Sequence, residues 1–334
     1  MPRLAPALAA VFLAFQPSGP AIADCAGSDL FPALPPAVQA ELRARADAVP
    51  YPRGNLWRAE RDGAVIHLAG TKHVGDARLA PVLSRLGPLV AAADLLLVEV
   101  TEAEEAALQT AIAADPALAF STAPPTLRDQ LADDDWALYA AAMAERGVPG
   151  IVAARFRPWL AFVTLSLPAC LMPAPGQAPP SLDRQLIAEA RAAGVPVAAL
   201  EGHEALFALF EVLSAAESLD ALRVMLGQEA RAEDQFETLA TLYFAGEHRL
   251  IWEFSRGWLP EAARDLWPPE RLEPLYDRLE EALLVRRNRA WAPTILAEAD
   301  RGTVFVAVGA AHLSGHDGLL DLLDRAGFRL TRLD

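Results

Sequence analysis

The chain has 334 residues, 53% of them hydrophobic, so it is long enough to bury a large core. Its 44 acidic residues outnumber its 29 basic residues, and the net charge at pH 7 is −15. Phosphate backbones and anionic lipid head groups repel a chain this acidic, so the composition argues against nucleic-acid binding and against docking on an anionic membrane.

Residues 1–23 have the features of a signal peptide. Arg3 lies near the amino terminus, residues 8–15 (LAAVFLAF) are apolar, and residues 21–23 (AIA) resemble a cleavage site. The apolar stretch is too short to span a bilayer, and no later segment reaches the ~18 uninterrupted apolar residues of a membrane helix. We expect export to the periplasm or beyond, with no integral membrane segment after cleavage; the alternative is a frayed N-terminal tail.

The two cysteines, Cys25 and Cys170, both lie in the expected mature chain. An even pair in an oxidising compartment predicts first a disulfide. A lipid-modified Cys25 is the second possibility, although Asp24 argues against it because a small residue is expected before an acylated cysteine. Two free thiols are the third.

The first part of the chain combines helical spacing with strand-like alternation. The turn dipeptide Asp62-Gly63 separates two alternating segments and predicts a hairpin. In chain order, the predicted elements are a helix at 36–48, hairpin strands at 56–61 and 65–69, a loop at 70–76, a helix at 79–92 and a strand buried on both faces at 95–100 (LLLVEV).

The rest of the chain alternates long helical stretches with short strands. These are a helical stretch at 102–170, a Pro-rich loop at 171–180, a helix at 182–193 ended by Gly194, a strand at 196–200, helices at 204–290 and 291–299, a strand at 303–308, a helix at 319–326 and a strand at 328–332. Strands separated by helices predict a single α/β domain at 24–334, with a mainly parallel central sheet, helical layers and helical insertions at about 102–170 and 204–290.

A Gly-x-x-His motif occurs twice, each time after a buried strand. Gly70-Thr71-Lys72-His73 follows VIHLA, and Gly309-Ala310-Ala311-His312 follows TVFVAV. Ligands of open α/β sheets bind outside the carboxyl ends of the strands. A single histidine at a strand end is commonly an ordinary loop residue, but two in matched positions favour a functional site that contains both rings.

Two acids occupy equivalent positions, Glu99 after LLLV and Glu201 after PVAAL. A carboxylate in apolar surroundings needs a partner or a cation, and neither segment supplies a basic neighbour for Glu99. Histidine and carboxylate side chains together suit a divalent transition metal, so His73, His312, Glu99 and Glu201 are the expected ligands. The alternatives are a salt bridge for Glu99 and a local contact with His203 for Glu201.

Three further residues are candidates for the site. Arg287 is expected to orient an acid or to bind the substrate together with Asn288, unless it belongs to a solvated basic face. Asp183 either enters the site as a substrate-binding residue or caps the helix that begins there, and capping is the commoner role of such an aspartate. Ordinary roles are expected for His67, His248 and His316.

Several of these segments resemble the TraB/GumN family, which is related to the TIKI metalloproteases. The similar segments are GTKHVGD at 70–76, LLLVEV at 95–100, SLDRQL at 181–186, VAALEG at 197–202, RRNRAWAP at 286–293 and VFVAVGAAHLSGHDGLLDLL at 304–323. The resemblance implies a TIKI- and erythromycin-esterase-like α/β core with both Gly-x-x-His motifs in the site. It also implies a divalent metal, manganese or cobalt, bound by His73 and His312, with Glu99 as a ligand or as the catalytic acid/base. Zinc is the third candidate metal, since histidine and carboxylate ligands also suit it.

Three functions are compatible with this reading. The first is a metal-dependent hydrolase, a peptidase by preference, in which Arg287 holds a peptide or another small polar substrate. The second is a metal-free hydrolase that uses the same residues. In it, a histidine acts as general base and Glu99 orients this histidine, as in erythromycin-esterase-like relatives. The third is a periplasmic protein that binds a metal, haem or a peptide without turnover.

Overall fold

The computed structural model describes residues 25–172, 180–210, 212–257 and 267–334. The predicted signal peptide and most of the predicted Pro-rich loop lie outside these ranges. Within them, the α-helices are Pro36–Asp47, Leu79–Ala91, Glu102–Ala114, Leu127–Gln130, Asp133–Glu145, Gly150–Ala153, Pro158–Leu165, Leu182–Ala193, His203–Phe210, Ala215–Leu226, Ala232–Phe244, His248–Gly257, Pro269–Glu280, Arg286–Ala299 and Leu319–Arg325.

A six-stranded, mostly parallel sheet forms the centre of the protein, which confirms the predicted α/β class. The strands are β1 (Leu56–Arg61), β2 (Ala64–Thr71), β3 (Leu95–Val98), β4 (Val197–Ala199), β5 (Val304–Gly309) and β6 (Arg329–Arg332). Their order is β4-β3-β5-β2-β1-β6. The pairs β4/β3, β3/β5 and β5/β2 are parallel, whereas β1 pairs antiparallel with both β2 and β6.

The hairpin of β1 and β2 forms at the predicted turn. Asp62 and Gly63 have φ angles of 51° and 92°, the left-handed conformation that two-residue hairpin turns need and that glycine adopts without steric cost. The register pairs Arg61 with Ala64 across this turn.

The apolar strands are buried on both faces because their side chains alternate between two cores. On β5, Phe305 contributes to one core and Val306 to the other. The first core lies under helices Leu79–Ala91 and Leu182–Ala193, and the second lies under helices Arg286–Ala299 and Leu319–Arg325. The predicted helical layers are therefore present on both faces of the sheet.

The segments 102–170 and 204–290 are mainly helical where they are described, and they share an apolar core around Tyr139 and Phe156 to which Leu222 and Leu226 of the second segment belong. Cys25 and Cys170 form a disulfide with a Cα–Cα distance of 5.5 Å, which confirms the first expectation for the cysteines. Within the described ranges, no helix has both the length and the apolar character of a membrane span.

Candidate functional site

The predicted site residues follow the carboxyl ends of the parallel strands. Strand β3 ends at Val98, two residues earlier than expected, so Glu99 already lies beyond the sheet. One further backbone hydrogen bond follows the β3/β4 pairing, because Glu201 N donates to Glu99 O. Nε2 of His73 and Nε2 of His312 each lie 3.7 Å from the same atom, Oε1 of Glu99. The two distant imidazoles therefore meet around one glutamate.

The glycine of each Gly-x-x-His copy leaves room for the other copy. A Cβ at Gly309 would lie 2.7 Å from Nε2 of His73, and a Cβ at Gly70 would lie 2.9 Å from the backbone of Ala310. The Gly309 N–H also donates to Oε1 of Glu99 at 2.7 Å. The two motifs thus pack against each other, which explains why both begin with the residue that has no side chain.

His73 is the accessible member of the site, with 61% of its side chain exposed. Its Nδ1 lies 3.1 Å from Oδ2 of Asp183, and the hydroxyl of Thr71 donates to the other carboxylate oxygen at 2.6 Å. Capping, the role preferred for Asp183 from sequence, is wrong: the Ser181 side chain caps this helix by accepting from Arg184 N. Asp183, two residues further on, turns instead toward His73.

Arg287 connects the buried carboxylates. Its Nε and Nη2 donate to the two oxygens of Glu201 at 3.0 and 2.6 Å, and Nη2 also donates to Oε2 of Glu99 at 2.5 Å. Nη1 donates to Leu283 O and to Nε2 of His312, both at 3.1 Å. A guanidinium has five N–H groups, so every donor of Arg287 is used inside the protein.

His312 is buried between Arg287 and Asn288. Its Nδ1 lies 2.7 Å from Oδ1 of Asn288, and its ring packs against Trp291 with a centroid separation of 4.5 Å. Trp291 also contacts the Arg287 guanidinium, whose Cζ lies 4.6 Å from the indole centroid. The helix Arg286–Ala299 therefore supplies three side chains that enclose one histidine.

The charges of the cluster shift several pKa values. Desolvation alone would lower the pKa of His73, but the carboxylates of Asp183 and Glu99 outweigh it and raise this pKa to about 9. Burial alone would raise the pKa of Glu99, but the two imidazoles, Arg287 and the Gly309 N–H lower it to about 2. Burial lowers the pKa of His312 to about 3. At neutral pH, Glu99 is ionised and His312 is neutral.

The structure brings together all seven residues predicted for the site from sequence: His73, Glu99, Asp183, Glu201, Arg287, Asn288 and His312. Sequence reasoning missed Thr71 and Trp291. Thr71 lies inside the first Gly-x-x-His copy, and Trp291 lies one helical turn after Arg287 and Asn288. These positions in the sequence could have identified both residues as neighbours of the site.

A metal shared by both histidines does not fit these residues as they stand. Within the described ranges, His73, Glu99 and His312 do not form a set whose ligand atoms all lie within 4.8 Å of one another, although each Nε2 is 3.7 Å from Glu99. Ligands of one ion at ~2.1 Å can be at most about 4.2 Å apart. The Arg287 guanidinium also contacts three of the four expected ligands: Nε2 of His312, both oxygens of Glu201 and Oε2 of Glu99.

Fold and site together define an α/β protein with a histidine–carboxylate–arginine cluster at the carboxyl edge of its sheet. The sequence model of the TraB/PrgY/gumN family matches residues 55–332, so the chain belongs to that family. The match contains every residue of the cluster. No curated protein matches the chain.

Proposed function

We propose that the protein is an exported hydrolase that cleaves peptide or ester bonds in small polar substrates, with His73 as the general base. The observation that carries the proposal is the His73–Asp183 pair: an exposed imidazole whose Nδ1 is held by a partly buried carboxylate and whose Nε2 lies 3.7 Å from Oε1 of Glu99. This arrangement is typical of histidines that accept a proton during acyl transfer. The disulfide supports a location outside the cytoplasm, in the periplasm or beyond.

Each side chain then has a defined part in the reaction. Asp183 keeps the proton of neutral His73 on Nδ1, which leaves the Nε2 lone pair free. A water molecule within hydrogen-bond reach of Nε2 and of Glu99 Oε1 attacks the substrate carbonyl carbon and gives its proton to Nε2. The imidazolium is stabilised by Asp183 and Glu99 and returns that proton to the leaving nitrogen or oxygen as the C–N or C–O bond breaks.

Arg287 supports this reaction from the inside. All its donors are used within the protein, so it holds Glu99 and Glu201 in position instead of contacting the substrate. The guanidinium is one of the groups that keep the enclosed Glu99 ionised, together with the imidazoles and the Gly309 N–H. Arg287 and Asn288 therefore position other side chains of the site: Arg287 positions Glu99 and Glu201, and Asn288 positions His312.

The metal-dependent hydrolase is the second candidate, and the charge of the cluster favours it. Three carboxylates, from Glu99, Asp183 and Glu201, surround one guanidinium and two histidines. The net charge of the cluster is −1 while His73 is protonated, and it becomes −2 once His73 releases its proton, as metal ligation requires. A divalent cation would balance that charge. Binding through both histidines would require the two Nε2 atoms to approach each other and Arg287 to leave His312.

The test is hydrolysis of a synthetic peptide mixture and of short aryl esters by the mature protein, measured by mass spectrometry and absorbance in the presence of EDTA. We expect turnover in EDTA and a loss of about 10²–10⁴-fold in His73→Ala, the range that a general base contributes. Turnover that requires added Mn²⁺, Co²⁺ or Zn²⁺ would establish the metal-dependent candidate. Binding of a peptide, metal or haem without any turnover would contradict both.

The pH profile tests the role of His73. Because its pKa is raised to about 9, His73 is mainly protonated at pH 7, and the fraction that can accept a proton grows as the pH rises. We expect kcat/KM to increase with pH and to level off above about pH 9. Asp183 is one of the carboxylates that outweigh desolvation, so Asp183→Asn should lower the maximal rate and move the midpoint to lower pH. A rate that falls over the same range would make His73 an acid.

A further inference from the structure

The amide of Asn288 has one orientation that its surroundings permit. Its side chain is buried, with 1% of the residue exposed. Nδ2 lies 3.3 Å from His312 O and 3.0 Å from Asp317 O. Carbonyl oxygens only accept hydrogen bonds, so the NH₂ group must face them. The side-chain oxygen Oδ1 therefore faces His312.

This orientation determines the tautomer of His312. Oδ1 of Asn288 can only accept, and it lies 2.7 Å from Nδ1 of His312, so the proton of the neutral ring is on Nδ1. Nε2 then keeps a lone pair. The Nη1 group of Arg287 lies 3.1 Å from this nitrogen and donates to it.

The contact between His312 and Arg287 also determines how Arg287 reaches Glu99. With Nη1 held by His312 and Leu283 O, the guanidinium is oriented so that Nη2 reaches Glu99 at 2.5 Å and Glu201 at 2.6 Å. If the ring proton moved to Nε2, two N–H groups would face each other at 3.1 Å and repel. Arg287 would then turn away, and Glu99 would lose the hydrogen bond from Nη2.

We propose that Asn288 is a positioning residue that acts through His312: it keeps the His312 proton on Nδ1, so that Nε2 holds Arg287 and Arg287 holds Glu99. Asn288 itself does not contact the substrate. The effect on catalysis rests on the proposed hydrolase function, whereas the tautomer does not depend on it. Among the described residues, the charged or titratable side chains that act electrostatically on His312 are Glu99, Arg287 and His73.

Nitrogen-15 NMR of histidine-labelled protein tests the proposed tautomer of His312 without any substrate, because the two ring nitrogens have different chemical shifts in each tautomer. The His312 signals are assigned with His312→Gln. In the wild type we expect a neutral ring protonated on Nδ1 at pH 7. A ring protonated on Nε2, or on both nitrogens, would overturn the proposal whether or not the protein is a hydrolase.

Variants of Asn288 test whether this residue determines the tautomer of His312. Asn288→Leu removes the acceptor at similar size, so His312 should shift toward the Nε2-protonated form. Asn288→Asp puts a carboxylate beside Nδ1, so His312 should become an imidazolium near neutral pH, and it provides a second readout if the leucine variant folds poorly. Asn55→Leu is the matched control, because Asn55 is the other asparagine of the chain and its Nδ2 also donates to a carbonyl, Tyr243 O.

In the control, the His312 spectrum should stay as in the wild type. With an active substrate in hand, Asn288→Leu should lower kcat by about 10²-fold, the effect of a small misplacement of reacting groups, with little change in KM. A raised KM with unchanged kcat and an unchanged His312 spectrum would instead make Asn288 a substrate-binding residue and would overturn the proposal.

Discussion

At the scale of single residues, the site depends on how closely two backbone segments approach. Gly309 lies against the His73 ring, and its N–H holds the carboxylate oxygen that both histidines face. A methyl group there meets an exposed side chain, not rigid backbone, so the ring can move aside. Its displacement would separate His73 from Asp183 and Glu99 at little cost to the fold.

Gly309→Ala should therefore reduce activity by about 10²-fold while the free energy of unfolding changes by less than about 1 kcal/mol. Activity and urea denaturation of the same preparation measure the two effects. Gly87→Ala is the control: Gly87 is also buried but lies inside helix Leu79–Ala91, and a Cβ there would be 3.5 Å from the nearest atom, Oε2 of Glu189. A Gly309→Ala protein as active as Gly87→Ala would contradict this account of the motif.

A single arginine makes the buried carboxylates possible. Glu99 and Glu201 would be strongly destabilised if they were ionised and unpaired in this environment, and Arg287 satisfies both with charged hydrogen bonds. Lysine has three donors on a flexible chain and cannot reproduce five fixed contacts. The geometry of the guanidinium, and not its charge alone, therefore defines the site.

At the scale of secondary-structure elements, helix termini and one irregular turn position the side chains of the candidate site. The segment Glu281–Val285 is a π-helix between helices Pro269–Glu280 and Arg286–Ala299, and π-helical turns are frequent at functional sites. Leu283, inside it, offers its carbonyl to Arg287. Helix Leu182–Ala193 begins next to the first motif, where Leu182 N donates to Lys72 O.

The N-cap of helix Leu182–Ala193 should affect both stability and activity, because Ser181 precedes Asp183 by two residues. Ser181→Ala should cost about 1 kcal/mol of unfolding free energy and also lower kcat, since a frayed first turn moves Asp183 away from His73. Ser214→Ala is the matched control, because Ser214 caps helix Ala215–Leu226 in the same way and contacts no residue of the cluster in the described structure. Equal activity in the two variants would disprove the link between this cap and the site.

At the scale of the whole molecule, residues 25–35, which form an N-terminal arm, are connected through one helix to the loop after β2. The backbone N–H groups of Ala26 and Ser28 donate to Glu233 and Asp234 at the start of helix Ala232–Phe244. The next turns of this helix contact the loop after β2: the Lys72 ammonium lies 4.5 Å from the centroid of the Phe236 ring, and Arg78 pairs with Glu237. Helix Ala232–Phe244 therefore contacts both the arm and the loop that contains His73.

The Cys25–Cys170 disulfide closes a loop of 145 residues and ties the arm to the first insertion. Replacing both cysteines by serine should lower the free energy of unfolding by about 2–5 kcal/mol, because the unfolded chain regains conformational freedom. Urea denaturation of wild type and variant, each with and without reductant, measures the difference. Reductant should destabilise the wild type and leave the variant unchanged; equal midpoints in all four samples would contradict the expectation.

The sequence by itself determined the class of fold, and it predicted which side chains the fold brings together in the candidate site. Strand alternation, the Asp62-Gly63 turn and helix periodicity are local features, and strand ends are visible wherever an apolar run stops. Because parallel strands end at one edge of a sheet, His73, Glu99, Glu201 and His312 could be expected together without knowing which strands are neighbours.

Only the tertiary structure decided how these side chains are connected. Arg287 reaches Glu99 across 188 residues of sequence and Glu201 across 86, and no local pattern encodes such pairings. The partner of Asp183 and the tautomer of His312 depend likewise on hydrogen-bonding atoms brought from other elements by packing. Local sequence specifies the backbone of each element, whereas the roles of buried polar groups follow from which donors and acceptors the folded chain leaves beside them.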